Sequence, residues 1–286
     1  LELARMPDGA LYFEQTHFPF YKAPVDLTRL GDALDEAMWT AVASPPGPLA
    51  PDSATLREGA LRLRASSDRA LIGLFGGNLF EMGTFLYRMD RFLELLAADP
   101  DEAHAFLDKV VAMHLANLET FLEVVGDVID IILFGDDLGM QTGPLMSPAM
   151  YREFFKPRHA LLWQRAKELA PVKVMLHSCG SLRALLPDLI EAGLDAVNPV
   201  QITCAGMEPA ELKREFGRDL VFWGGGCDTR EVLPHYTPAQ VSDHVKRQIS
   251  VLARDGGFVF QQVHNVMADV PPANLEAMLR AVKSPR

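Results

Sequence analysis

Short apolar runs alternate with longer amphipathic segments from about residue 70 onward. The apolar runs end at Gly, Asp or Asn, and continuous runs of this kind are typical of strands that are buried on both faces. They predict β-strands at residues 70–76, 130–136, 172–178, 196–201, 220–225 and 258–264. Strands that alternate with helices form parallel sheets, so the pattern predicts an α/β fold.

Three of the intervening segments carry helix start signals. Asp99–Pro100 supplies an N-cap and a proline at the first helical position, and apolar residues then follow at helical spacing. Ser147–Pro148 predicts the start of another helix. Thr237–Gln240 has the spacing of a capping box, again with a proline at the first helical position.

The first 69 residues do not follow this alternation. Asp8–Gly9 predicts a β-hairpin, and the Pro- and Gly-rich stretch at 44–53 predicts a loop. We therefore expect one structural domain with two regions. A hairpin and loop region at 1–69 packs on a barrel region at 70–286.

Six parallel strands fit either an open, doubly wound sheet or most of an eight-stranded (β/α)8 barrel. The open sheet predicts a Gly-rich phosphate turn, GxGxxG or GxxxxGK[ST], and neither pattern occurs. A barrel predicts chemically capable side chains at the C-terminal ends of several strands, and five predicted strands have them, which favours a TIM barrel. These side chains are Asp136 and Asp137, His177 and Cys179, Asn198 and Gln201, Cys227 and Asp228, and His264 and Asn265.

The stretch VKVMLHSCG ends a predicted strand with two potential metal ligands. Side chains at positions i and i+2 of a strand point the same way, so His177 and Cys179 would lie side by side. Imidazole and thiolate are both good ligands for zinc. The alternative is a partly buried histidine beside an inert cysteine that behaves as a small hydrophobic residue.

Composition narrows the class of protein. The net charge of −11, from 27 basic and 38 acidic residues, disfavours binding of nucleic acid or anionic membranes through the whole surface. No apolar run approaches the roughly 18 residues that a membrane helix needs, and the N-terminus has no signal-peptide pattern. Three cysteines make a disulfide framework a poor fit, so we expect a cytoplasmic protein.

Five motifs occur in order at the predicted strand ends. They are FGGNLFEMG (75–83), FGDDLGMQTGPLMSPAMYREFFKPRH (134–159), LHSCGSLRALLPDLIEAGLDAVNPVQ (176–201), FWGGGCDTREVLP (222–234) and VHNVMADVPPANL (263–275). Over residues 70 to 282 the chain resembles the uroporphyrinogen decarboxylase superfamily. The resemblance implies a TIM barrel whose first two strands lie in an N-terminal segment. Those strands are not apparent in this sequence, so we expect them to be missing from the chain.

The resemblance implies one of two chemistries. One branch of the superfamily decarboxylates uroporphyrinogen, a step of porphyrin biosynthesis, without a cofactor. The other contains zinc-dependent methyltransferases that move methyl groups between a methylated substrate or a thiol and the corrinoid (cobalamin) of a partner protein. The methyltransferases hold zinc with a His-x-Cys pair, which His177 and Cys179 match, so we expect a methyltransferase, with a homodimer as its candidate assembly.

The third zinc ligand stays open at this point. Methyltransferases of the superfamily use a later cysteine near the last strand end, where this sequence has His264. Either His264 or Cys227 takes that role, or the site is different. His264 also matches a histidine near the substrate of the decarboxylases, which keeps decarboxylation as the alternative. A noncatalytic barrel that serves as a binding partner is a third hypothesis.

The remaining polar strand ends are candidates for catalysis and substrate binding. Asp136 and Asp137 would face opposite ways in a strand, so we expect at least one to orient the metal-bound histidine or to act as a general acid or base. Four further side chains are predicted to bind substrate: Asn198, Gln201, Cys227 and Asp228.

Overall fold

The computed structural model describes residues 2–22, 25–37 and 52–283. Within it the chain divides into two units. Unit 1 comprises Leu1–Asp136 and Ala149–Val174, and unit 2 comprises Asp137–Pro148 and Met175–Arg286.

A β-hairpin opens unit 1. Strand β1 (Ala4–Arg5) pairs antiparallel with β2 (Glu14–Gln15). Gly9 has a φ of +76°, a left-handed conformation that glycine adopts without steric cost. The hairpin predicted at Asp8–Gly9 is therefore confirmed.

After a short 3-10 turn at Leu27–Arg29, the described residues up to Ser66 form two helices. They are α1 (Leu30–Glu36) and α2 (Ser53–Ser66). Most of the loop predicted at 44–53 lies outside the described residues. Its end was predicted wrongly, because the side chain of Asp52 accepts a hydrogen bond from the Thr55 amide and starts α2.

The other described elements of unit 1 are mostly helices, with two strands among them. They are β3 (Ile72–Gly76), α3 (Phe80–Tyr87), α4 (Met89–Ala98), α5 (Pro100–Val125), β4 (Ile131–Gly135), a π-helical segment (Tyr151–Phe155) and α7 (Lys156–Leu169). The short α6 (Pro148–Met150) precedes the π-helical segment. Asp99 caps α5 by accepting from the Glu102 amide at 3.1 Å, so the predicted start of this helix is confirmed.

Strands β3 and β4 pair in parallel and are buried on one face. Phe75 and Ile132 are buried, whereas Leu74 is 70% exposed. Helix α5 covers the buried face so closely that a Cβ atom on Gly73 would lie 3.0 Å from the Phe121 ring. The expectation of burial on both faces is wrong for β3, because α5 covers only one of them.

Unit 2 contains the remaining strands of the sheet. Its elements are β5 (Gly139–Met140), β6 (Gly143–Pro144), β7 (Lys173–His177), α8 (Leu186–Glu191), β8 (Ala196–Asn198), α9 (Pro209–Phe216), β9 (Val221–Trp223), α10 (Val232–His235), α11 (Pro238–Leu252), β10 (Phe258–Val259) and α12 (Pro272–Lys283). Strand β8 pairs in parallel with β7 and β9, and β9 pairs in parallel with β10. Thr237 and Gln240 form the predicted capping box at the start of α11.

The four parallel strands of unit 2 are shorter than predicted, and β9 spans Val221–Trp223 instead of 220–225. Strand β8 ends at Asn198 instead of 201, because Pro199 has no N–H group to continue the ladder. Strand β10 ends at Val259 instead of 264. After β9 the chain turns at Gly224–Gly225, whose φ angles of +118° and +78° interrupt the extended conformation that β10 would need beside it.

The parallel strands lie in the order β10-β9-β8-β7-β4-β3. The boundary between the units falls inside β7, whose first residue, Lys173, donates its amide to Asp130 O at 3.0 Å within unit 1. The predicted α/β fold with a parallel sheet is confirmed. Closure into a barrel, the missing first strands and the division of regions at residue 69 stay predictions.

Among the described residues, no helix is long and apolar enough to cross a membrane.

Candidate metal centre

Three side chains of unit 2 converge at the C-terminal ends of two strands. His177 is the last residue of β7, Cys179 follows it by two positions, and His264 lies in the segment after β10. Their ligand atoms all lie within 4.8 Å of one another. His177 and Cys179 are half-buried and His264 is exposed, so the cluster is open to solvent on the side of His264.

The spacing and chemistry of this cluster fit a zinc ion. His177 Nε2 lies 3.7 Å from Cys179 Sγ. With zinc–sulfur and zinc–nitrogen bonds of about 2.3 and 2.0–2.1 Å, a tetrahedral site places these two atoms about 3.6 Å apart. Two imidazoles and one thiolate are also a zinc donor set, and three protein ligands leave a fourth position open.

An amide network orients the imidazole of His177. Its Nδ1 lies 2.8 Å from Oδ1 of Asn198, which is buried at the end of β8. The side-chain amide of Asn198 donates to Trp223 O at 3.0 Å and to Gln261 Oε1 at 2.7 Å. Asn198 therefore lies beside the cluster, as the strand-end pattern predicted, although it contacts His177.

The backbone around Cys179 is held from two sides. Asp137 Oδ1 accepts from the Cys179 amide at 2.7 Å, and Gln201 Oε1 accepts from the Gly180 amide at 2.5 Å. Gly180 has a φ of +88°, and a Cβ atom there would lie 2.2 Å from the carbonyl carbon of Gly139. Both predicted polar residues, Asp137 and Gln201, thus position the turn that presents the thiol.

The electrostatics of the cluster favour a neutral His264. Desolvation lowers the pKa of this imidazole, and the neighbouring His177 lowers it further. The Asp137 carboxylate acts in the opposite direction. Neutral imidazole is the form that binds a metal ion, so both lowering effects favour ligation.

Cys227 lies in an apolar cluster of unit 2 and not beside His177. The cluster surrounds it with buried residues of α10 and α11 such as Leu233 and Val241. Burial, followed by the Asp228 carboxylate, raises the pKa of Cys227 to about 12, which disfavours the thiolate that zinc would need. Of the two candidates for the third ligand, the structure brings His264 to the pair.

Asp228 caps a turn. Its carboxylate accepts hydrogen bonds from the amides of Arg230, Glu231 and Val232, at 3.2, 2.9 and 3.2 Å. The residue is 2% exposed. These contacts give Asp228 a structural task at the start of α10, beside the substrate-binding role that its strand-end position predicts.

Asp136 belongs to a buried polar network of unit 1. Its carboxylate accepts from the amides of Phe80 and Glu81 at 3.0 and 2.9 Å, which caps the start of α3. It also lies 3.2 Å from Nε2 of His159, whose Nδ1 is 3.1 Å from the Tyr151 hydroxyl. Asp136 is fully buried, so these contacts point to a structural role more than to the predicted catalytic one.

A family model described as uroporphyrinogen decarboxylase (URO-D) matches residues 43–285. The chain belongs to the uroporphyrinogen decarboxylase family. The resemblance found in the sequence motifs is thereby confirmed.

Curated relatives of this family member include uroporphyrinogen decarboxylases of two bacteria. The protein from Salmonella dublin is 23% identical over 290 residues, which cover 98% of this chain and 76% of the relative. The protein from Legionella pneumophila (strain Corby) is 24% identical over 298 residues, with the same coverage of both chains. A solved structure of a methyltransferase from Methanosarcina mazei superposes with a TM-score of 0.64 at 18% identity, covering 94% of this chain and 71% of that chain. At this identity the structural likeness shows the fold alone.

Sequence reasoning missed two residues of this family member that bear on the predicted sites. Gln261 accepts a hydrogen bond from Asn198. The sequence feature that could have indicated it is a polar residue in an apolar run, three positions before His264. His159 pairs with Asp136, and it stands at the end of one of the recognised motifs. Neither spacing is a metal or catalytic pattern, so only the fold brings these partners together.

Proposed function

We propose that this chain is a zinc-dependent methyltransferase of the uroporphyrinogen decarboxylase superfamily. It would move a methyl group between a methylated substrate or thiol and a corrinoid protein. The observation that carries the proposal is the convergence of His177, Cys179 and His264, with ligand atoms within 4.8 Å of one another. The methyltransferase fold neighbour is consistent with it.

Each residue of the metal centre has a separate role. His177, Cys179 and His264 would hold the zinc ion. Zinc, when bound, lowers the pKa of a coordinated thiol and keeps it deprotonated near neutral pH. Asp137 positions the Cys179 backbone. The corrinoid would be supplied by a partner protein, and we place the reaction in the cytoplasm.

Metal content is the first test. Protein purified without a metal-affinity tag should contain about one zinc ion per chain. A His177→Ala/Cys179→Ser double variant should lose it. A His235→Ala/Cys204→Ala double variant, which also removes one imidazole and one thiol from unit 2, should keep it. A folded wild type without zinc would contradict the proposal.

Uroporphyrinogen decarboxylation is the second candidate function. The similarity to curated uroporphyrinogen decarboxylases along 98% of the chain favours it. A substrate with eight carboxylates needs cationic side chains that are available to bind it. Arg183, an arginine of the strand-end motifs, is instead engaged by Glu211 and Glu215, which weighs against this candidate.

A substrate assay separates the two reactions. Incubation with uroporphyrinogen should leave it unchanged if the chain is a methyltransferase, whereas a decarboxylase would produce coproporphyrinogen. A barrel that acts only as a binding partner would give neither product formation nor bound zinc. Zinc content and the uroporphyrinogen assay together therefore distinguish the three hypotheses.

A further inference from the structure

The Asn198 side-chain amide has two acceptors. Trp223 O and Gln261 Oε1 are both oxygens that accept hydrogen bonds and have no proton to donate. They lie 3.0 and 2.7 Å from Asn198 Nδ2. The Trp223 backbone carbonyl decides the orientation: the amide nitrogen must face it, because the reverse orientation would place oxygen against oxygen there. The Gln261 side-chain amide, which can turn either way, then accepts the second hydrogen through Oε1.

This orientation determines which nitrogen of His177 carries the proton. With Nδ2 turned toward Trp223 and Gln261, Oδ1 of Asn198 faces His177 Nδ1 at 2.8 Å. Oδ1 only accepts, so Nδ1 must be protonated. In a neutral imidazole the other nitrogen then keeps its lone pair. That nitrogen, Nε2, is the atom that lies 3.7 Å from Cys179 Sγ.

We propose that Asn198 is a positioning residue that holds His177 in the Nδ1–H tautomer and thereby presents the Nε2 lone pair to the metal centre. The proposal rests on the proposed function only for the identity of the metal. It also revises the predicted role of Asn198 in binding substrate. Both amide hydrogens and one oxygen lone pair are used inside the protein, and the residue is only 7% exposed.

The hydrogen bonds of this network act in sequence on the imidazole of His177. The Trp223 carbonyl and Gln261 orient Asn198, and Asn198 orients His177. A partner that fixes the tautomer and ring orientation of a metal-bound histidine commonly contributes about 10- to 100-fold to metal affinity. Asn198 should therefore affect metal binding without touching the metal.

The test measures the tautomer of His177 in metal-free protein by nitrogen-15 NMR, at a pH where the imidazole is neutral. A His177→Gln variant assigns the signals. Wild type should show a protonated Nδ1 and an unprotonated Nε2. Asn198→Leu, which removes the acceptor, should shift His177 toward the Nε2–H tautomer. Its zinc affinity should fall by about 10- to 100-fold.

Two further variants separate positioning from structural support. Asn198→Asp removes both donated hydrogen bonds but keeps an acceptor for Nδ1, so it should retain the Nδ1–H tautomer despite lower stability. Asn274 is a matched control, because it is buried in unit 2 and its amide donates to Leu233 O and Tyr236 O, both at 2.8 Å. Asn274→Leu should lower stability and leave the His177 tautomer unchanged.

The outcomes for the tautomer and for the metal are independent. An Nε2–H tautomer in wild type would overturn the inference without any variant, and so would an unchanged tautomer in folded Asn198→Leu protein. If that variant does not fold, loss of the Nδ1–H tautomer in Asn198→Asp would overturn it. Wild type with the expected tautomer but without zinc affinity would support the inference while contradicting the proposed function.

Discussion

Two adjacent carboxylates illustrate how single residues acquire different tasks. Asp136 is fully buried and accepts two backbone amides of unit 1, whereas the half-buried Asp137 accepts the amide of Cys179 in unit 2. Neighbouring residues at a strand end face opposite sides, so two adjacent aspartates can contact different parts of the protein. The sequence predicted this divergence, although not which aspartate would lie beside Cys179.

The identity of the third ligand gives the first prediction at this scale. His264→Ala should lower zinc affinity by more than the roughly 100-fold that loss of an orienting neighbour can cost, because it removes a ligand. Cys227→Ala should keep zinc and lower the free energy of unfolding by about 1–3 kcal/mol, since it leaves a small cavity. Zinc titration and urea unfolding of both variants measure these effects. Loss of zinc from Cys227→Ala alone would contradict the assignment.

A buried histidine of unit 1 predicts the pH dependence of stability. His114 is 1% exposed and lies 2.9 Å from Asn78 O, to which its Nε2–H donates. Burial lowers its pKa from 6.5 to about 4, although the hydrogen bond to Asn78 and the charge of Asp136 oppose this. The unfolded chain therefore takes up a proton below pH 6.5, while the folded chain does so only near pH 4.

Stability present above pH 6.5 should consequently be lost as the pH falls to about 4. A fall in the pKa of His114 from 6.5 to about 4 amounts to about 3 kcal/mol in the free energy of unfolding. His114→Gln keeps an N–H donor for Asn78 and cannot titrate, so it should lose about 3 kcal/mol less over this interval. Urea unfolding at several pH values checks this. Parallel pH profiles for both proteins would show that His114 does not contribute.

The site residues differ in how far the sequence could predict them. His177 and Cys179 are two positions apart at the end of one strand, so spacing alone placed them together. The choice between His264 and Cys227 depends on how the chain turns after β9 and β10, where glycines and short strands break the regular register. Periodicity carries no information about such turns, so the third ligand required the structure.

At the scale of elements, the turn after β7 depends on close backbone contact. The β5–β6 hairpin lies against this turn, with the Ser181 amide donating to Met140 O at 2.9 Å. Gly139 and Gly180 allow the approach because neither has a side chain. The position of Cys179 thus depends on a hairpin that is distant from it in sequence.

A methyl group at Gly180 should disturb the metal centre without removing a ligand. Gly180→Ala introduces a clash at 2.2 Å together with the strain of a φ of +88°. Gly193 has a φ of +108° with no atom within 4 Å of an added Cβ, so Gly193→Ala isolates the strain, which costs about 1–2 kcal/mol. Gly180→Ala should lose more stability than this control and also lose zinc affinity. Urea unfolding and zinc titration measure both variants. If Gly180→Ala and Gly193→Ala had equal effects in both measurements, the close contact at Gly180 would have no role.

Elements were predictable where burial leaves a pattern in the sequence. The helix starts at Asp99 and Thr237 have cap residues and apolar stripes, and both were predicted. Helix α2 has no buried residue, so no apolar stripe marked it, and it was missed. For β8 and β10 the apolar pattern predicted strands that are too long. Pro199 and Gly224–Gly225 change the backbone conformation there, although the sequence runs remain apolar.

At the scale of the molecule, metal binding and folding are linked. The ligand cluster lies entirely within unit 2, and an ion that binds only the folded chain stabilises it by mass action. Zinc at 100 times its dissociation constant should add about 2.7 kcal/mol. The melting temperature of wild type should therefore rise with zinc concentration. The His177→Ala/Cys179→Ser variant should show no such rise in a calorimetric series, and a matching rise there would place the ion elsewhere.

The unequal burial of the three cysteines has a consequence for redox chemistry. Cys204 and Cys227 are buried, and burial raises the pKa of both thiols, whereas Cys179 is half-buried. An oxidant or alkylating reagent should therefore find one reactive thiol in the native, metal-free protein. Mass spectrometry after brief iodoacetamide treatment should find modification at Cys179 that zinc prevents. Oxidation of the cysteines would then begin at the candidate metal ligand, and a bound metal ion would protect it.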